Sequence, residues 1–162
     1  MGVAGAGKTT VGRALGSALE WTFIDADDYH SAENVERMRS GVALTDADRA
    51  PWLAALRTAI ETALARGDGV VVACSALKQT YRDVLVPAGA ARTTRFVFLH
   101  ASEELVRRRL AAREGHYAGV ALAESQLGTL EEPRDALRVD AAAAPAAIVA
   151  TIRSTFGLTL AR

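Results

Sequence analysis

Gly2-Val3-Ala4-Gly5-Ala6-Gly7-Lys8-Thr9 satisfies the pattern G-x-x-x-x-G-K-[ST] at every position. Glycines at 2, 5 and 7 let the backbone close into a concave loop whose N–H groups converge on phosphate oxygens. A helix starting near Lys8 adds its positive dipole end to the same place. In such a loop Lys8 bridges the β- and γ-phosphates of a nucleoside triphosphate, and the Thr9 hydroxyl ligates Mg²⁺. Gly2 to Thr10, including the backbone of Val3, Ala4 and Ala6, is therefore the candidate nucleotide-binding segment. A glycine-rich turn before a helix accounts for the glycines, but it does not require lysine and threonine at these two places.

Downstream of Lys8, Val11, Leu15 and Leu19 recur every four residues, which predicts a helix. Thr22 to Asp25 then reads as a short buried strand. Three further apolar runs lack polar alternation and read as interior strands of a parallel sheet: Val70 to Cys74, Arg95 to Leu99 and Ala136 to Val139. Helical segments alternate with them. Ser31 caps one that runs to about Arg39, and Leu53, Leu56, Ile60 and Leu64 mark another that stops at Gly67. That second helix starts either at a capping box made by Thr45 and Asp48 or at Pro51 in its first turn. A short helix spans about Leu77 to Val86, Ser102 caps one through Leu110, and Pro145 starts a last one that Gly157 ends. The alternation predicts an α/β fold, a three-layer doubly wound parallel sheet, with ligands at the carboxyl ends of the strands.

The chain has 162 residues and 17.1 kDa, the size of a single domain covering 1–162. Lysine plus arginine equal aspartate plus glutamate at 19 each, so no net field draws it to nucleic acid or an anionic membrane. No apolar run approaches the roughly 20 residues that span a bilayer, and no signal-peptide layout opens the chain, so the expectation is a cytoplasmic protein. A single cysteine, Cys74, excludes an internal disulfide framework and a cysteine-built zinc site.

Asp25, Asp27 and Asp28 follow the first apolar run, at the carboxyl end of a strand. Carboxylates there hold Mg²⁺ or take the proton of an attacking hydroxyl; the other reading is a solvated acidic turn with capping duties. His30 reads equally as a substrate contact or a surface histidine. Trp52 reads as packing, whereas Arg49 in the same segment has no apolar explanation. Cys74 reads as packing too, while Ser75, Lys78 and Arg82 are polar groups at the edge where an anionic substrate arrives. Arg107 and Arg108 suit a solvated helix face. Arg109 and Arg113 share a face and precede Glu114, Gly115, His116 and Tyr117, which reads as a helical lid over about 107–120 that closes arginines over a transferring phosphoryl group and excludes water.

Taken together, these residues resemble the gluconate kinase family of small P-loop phosphotransferases, relatives of shikimate kinase and the nucleoside monophosphate kinases. The resemblance covers nearly the whole chain. It is carried by the phosphate loop, Phe23 to His30, Asn34 to Met38, Leu44 to Leu53, Cys74 to Lys78 with Tyr81 to Asp83, Arg113 to His116, and Ser125 to Pro133. The Cys-Ser-Ala-Leu-Lys and Asp-Arg-x-Pro-Trp segments are the more specific parts. The resemblance implies a P-loop NTPase fold of the nucleoside monophosphate kinase type, using ATP and Mg²⁺ to phosphorylate D-gluconate at its terminal hydroxyl. It implies Asp27 as the group that orients or deprotonates that hydroxyl, Lys8 and Arg113 as catalytic cations, and Asp25 with Thr9 at the metal. It implies His30, Arg49, Lys78, Tyr81 and Arg82 around the sugar acid, Arg109, Arg113 and His116 in the lid, and Gln126 near the substrate. Family members commonly form homodimers. Two other readings stay open: a kinase for another small hydroxy acid such as shikimate, or an ATP-binding protein that no longer catalyses. In this fold the phosphate loop hangs from a central strand, yet Met1 alone precedes Gly2. The expectation is a first strand cut short by about five residues or more, with Met1 an internal residue of a longer natural chain.

Overall fold

The computed structural model describes residues 1–112 and 116–159, and of 116–121 the helical backbone alone. Helix α1 (Lys8–Leu19) leads into strand β1 (Thr22–Asp25) and a 3-10 turn at Ala26–Tyr29. Helices α2 (Ala32–Arg39) and α3 (Asp46–Ala65) follow, then β2 (Val70–Ala73) and α4 (Gln79–Leu85). Strand β3 (Val97–His100) is succeeded by α5 (Glu103–Ala111), α6 (His116–Thr129), β4 (Leu137–Asp140) and α7 (Pro145–Phe156).

Side-chain caps set several of these starts. Ser31 and Ser102 each accept the N–H three residues on, at 3.2 Å. At α3, Thr45 accepts from the Asp48 N–H at 3.2 Å while Asp48 accepts from the Thr45 N–H at 2.7 Å, a complete capping box. These reciprocal bonds satisfy end donors that Pro51 has no means to satisfy, so the helix starts at the box and Pro51 falls inside it. Helix α4 begins two residues later than the expected Leu77, because Ala76 takes a left-handed φ of 44° and Lys78 is extended.

The strands pair in parallel, β1 with β2 (Thr22 opposite Val70) and β3 with β4 (Val97 opposite Leu137). Parallel strands and alternating helices are as expected. The four strands nonetheless form two pairs and not one continuous ladder. The chain start joins the pairs: the Met1 amine donates to the Val97 carbonyl at 2.6 Å, the Leu99 N–H donates to the Met1 carbonyl at 2.9 Å, and the Gly2 N–H donates to the Ser75 carbonyl at 3.2 Å. Behind that bridge an apolar cavity of about 380 Å³ runs between Val70, Val72, Val97 and Leu99.

Alternation along β2 separates two cores. Val71 packs with Leu15, Leu19, Leu99, Val139 and Ile152, the core under α1 and α7. Val70 and Val72 pack with Ile24, Leu53, Leu56 and Ile60, the core under α3. Successive strand residues point to opposite faces, so helices cover both sides in three layers. Helix α1 lies so close to β1 that a Cβ on Gly12 would come within 2.6 Å of the Phe23 ring. The phosphate loop is thereby held at the carboxyl ends of β2 and β3.

Candidate active site

The loop before α1 is built from left-handed backbone: φ is 141° at Gly2, 79° at Gly5 and 97° at Gly7. At Gly2 the need for glycine is double, since a Cβ there would also meet the Leu99 carbonyl oxygen at 2.8 Å. The Lys8 ammonium donates to the Val3 carbonyl at 3.0 Å, curling back over the loop. Arg109 reaches across from α5 and donates to the carbonyls of Gly5 and Ala6 at 3.2 and 3.1 Å and of Ala141 at 2.7 Å. A loop that turns its N–H groups toward an anion turns carbonyls elsewhere, and Arg109 answers two of those carbonyls. Gln126 on α6 accepts the Ala4 N–H at 2.6 Å, tying that helix to the same loop.

One pocket of about 470 Å³ opens beside this loop. Lys8, Thr9 and Thr10 of the loop and its helix line it together with Asp27, His30, Arg49, Ser75 and Gln126. The 3-10 turn after β1 delivers Asp27. Asp25 caps that turn, accepting the Asp27 N–H at 3.3 Å, and lies off the pocket wall. His30 stacks on Trp52, with ring centroids 4.4 Å apart and 10° between planes, and the Trp52 indole donates to the Ala26 carbonyl at 2.7 Å. The packing role read for Trp52 thus includes holding the turn that carries Asp27 and His30. Burial pushes the His30 pKa below its ordinary value, Asp27 opposing and Arg49 adding to the fall, so the ring is neutral at pH 7. Its Nδ1 is buried without a hydrogen-bond partner among the described residues.

Lys78, Tyr81 and Arg82 are close by but off the pocket wall. Lys78 and Tyr81 both hydrogen-bond Asp46, the first residue of α3. Their bonds hold the Asp46 pKa below the usual carboxylate range, while Asp46 raises that of Lys78. Arg82 is 2% exposed and donates to the carbonyls of Ala76 and Leu77 at 2.9 and 3.2 Å and to the Gln79 side chain. It shapes the left-handed turn that ends β2, which is a positioning duty. Cys74 is buried and its thiol is pushed up to about 11 by desolvation, which removes it as a nucleophile. Arg113 and the side chain of His116 lie outside the described residues.

Sequence reasoning missed two contributors. Met38 and Arg39 line the pocket from α2 and bring to it a second arginine. Val35, Met38 and Arg39 fall on one helical face, a signal available in the sequence but indistinguishable there from an ordinary half-buried face. Among the described residues no three His, Cys, Asp or Glu side chains gather as a protein-built metal cage. Thr9 lines the pocket and is placed to hold Mg²⁺, an ion that keeps waters and phosphate oxygens and takes one or two protein ligands.

A glycine-built phosphate loop opening a helix, at the carboxyl end of parallel strands, defines a P-loop nucleotide-binding domain. The AAA domain family model matches residues 1–137. The probable gluconokinase of Xenopus tropicalis is 44% identical over 146 residues, covering 82% of this chain and 77% of its own. A gluconokinase from Sinorhizobium meliloti 1021 superposes with a TM-score of 0.79 at 40% identity, covering 97% of this chain and 93% of its own. A sugar kinase from Janibacter sp. HTCC2649 gives a TM-score of 0.87 at 35% identity, covering 98% and 92%. The chain belongs to the gluconokinase family of P-loop kinases.

Proposed function

We propose that this protein transfers the γ-phosphoryl group of ATP to the terminal hydroxyl of D-gluconate, yielding 6-phospho-D-gluconate and ADP. The observation that carries the reading is the single pocket in which Lys8 and Thr9 face Asp27, His30 and Arg49. Phosphoryl transfer needs little covalent help from a protein; it needs positioning and charge neutralisation. The loop N–H groups and Lys8 hold the phosphates; Thr9, on the pocket wall, would hold Mg²⁺, which neutralises phosphate charge, and Asp25, off that wall, would reach the ion through its waters. Asp27 takes the proton of the acceptor hydroxyl as its oxygen bonds to the γ-phosphorus and the bond to the bridging oxygen breaks. Neutral His30 offers its ring nitrogens to the acceptor hydroxyls, and Arg49 faces its carboxylate.

Coupled ADP release against a panel of sugar acids and hydroxy acids tests this directly. Turnover that depends on gluconate is the expected result. Turnover with shikimate alone would replace the acceptor, and tight MgATP binding without transfer to any hydroxyl would replace the activity.

A further inference from the structure

Asp46 opens α3 but does none of the capping, which Thr45 and Asp48 perform. Its carboxylate instead meets the Lys78 ammonium at 2.7 and 2.9 Å, accepts the Tyr81 hydroxyl, and lies 3.7 Å from the Arg49 guanidinium. The partners are unequally fixed. The Asp46 side chain is 62% exposed, against 29% for Lys78 and 15% for Arg49. Arg49 also donates to the Tyr81 hydroxyl at 3.2 Å, and both cations sit 5.6 Å from the Tyr81 ring centroid. Two cations and a phenol converging on one carboxylate form a receptor for a carboxylate, and its Arg49 also lines the pocket that faces Lys8.

We propose that Asp46 is an internal stand-in for the acceptor's carboxylate, occupying the Arg49–Lys78–Tyr81 receptor and swinging out to solvent when the acid binds. The proposal rests on the sugar-acid reading above. An exposed ion pair is cheaply broken, so an incoming acid that reproduces its contacts displaces it, whereas a neutral polyol has nothing to offer the two cations in exchange. Asp46 is then an internal competitor that sets the affinity for the acid and leaves that for an uncharged polyol alone.

Asp46→Asn removes the competing charge and leaves the capping pair intact. Its KM for D-gluconate is expected to fall by about two- to fivefold, the range of an exposed ion pair, with kcat moving far less. The KM for D-glucitol, which carries a hydroxymethyl group in place of the carboxylate, is expected to stay put, and Asp46→Glu is expected to keep the wild-type value for gluconate. A gluconate KM that rises or is unchanged in Asp46→Asn overturns the proposal, as does an equal change for both compounds. If the wild-type protein turns over no sugar acid, the functional reading falls on that result alone. The stand-in is then judged by calorimetry: tighter gluconate binding by Asp46→Asn than by wild type supports it, and equal or absent binding overturns it.

Discussion

Along the phosphate-loop side of the pocket, Gly2 to Gly7 present main-chain groups whose direction is set by left-handed φ angles and by carbonyl contacts from Arg109. Along the acceptor side, Asp27, His30 and Arg49 are side chains brought in by a 3-10 turn and by α3, steadied by the Trp52 stack and the Asp46 ion pairs. The first side is a backbone device, intolerant of an added methyl group but indifferent to most side-chain chemistry beyond Lys8 and Thr9. The second is a side-chain device in which one atom changes function while the fold stays. Substitutions on the two sides should therefore fail in different ways.

The sharpest separation comes from Asp27→Asn, which keeps shape and removes the proton acceptor. Turnover is expected to fall by about 10²- to 10⁴-fold, the span of general base catalysis, with the Kd for MgATP within about twofold of wild type. Equilibrium nucleotide binding alongside coupled ADP release measures both, and a near-normal rate would remove Asp27 from the chemistry. Lys8→Ala attacks the other side. Loss of one preorganised charge at the transferring group is expected to lower turnover by about 10²- to 10³-fold and to weaken ATP binding as well. Gluconate affinity measured without nucleotide should be untouched. If Lys8→Ala and Asp27→Asn weakened the same ligand, the division into two sides would collapse.

Gly2→Ala tests the backbone claim with a single methyl group. At a φ of 141° and with the Leu99 carbonyl oxygen 2.8 Å from the added carbon, the loop or β3 must move. A cost of about 1–3 kcal/mol is expected, read as a lower urea midpoint with an unchanged slope. Unaltered stability would show that the loop bends at no cost.

The same contrast explains what the sequence disclosed. The loop was legible because its geometry follows from residue types at fixed spacing, and the helix starts at Ser31, Thr45 and Ser102 because caps are local chemistry. The strand runs were legible from their apolar content, with β2 a residue shorter than read and β3 displaced by one to two residues. What stayed hidden depends on distant parts of the chain. Arg109 read as a lid arginine closing over phosphate, yet it donates to Gly5 and Ala6, over a hundred positions away. Arg82 read as a substrate contact, yet its donors are taken by the Ala76 turn. Asp46 fell within the Leu44 to Leu53 segment that carried the resemblance, but its role had no signal, since its partners Lys78 and Tyr81 lie on the far side of β2 in sequence.

The smallest expected effect belongs to His30, where the side-chain device meets pH. The unfolded imidazole titrates near 6.5, and in the folded protein burial lowers that value, with Arg49 adding to the fall and Asp27 resisting it. The folded state therefore favours the neutral ring. At pH above about 6.5 both states are neutral and the ring's contribution to stability is complete. As the pH falls below 6.5, the unfolded chain binds a proton that the folded chain resists, and that contribution is lost progressively until the folded value is passed. Thermal melts of wild type and His30→Asn between pH 8 and pH 5 isolate the ring's contribution. The wild-type Tm advantage should be constant at the alkaline end and shrink below pH 6.5. An advantage that grows on acidification would mean that Asp27 outweighs burial and that the ring is charged beside it. In that case His30 would be an ion-pair partner of the proposed base, and Asp27 would have lost the freedom to accept a proton that its role requires.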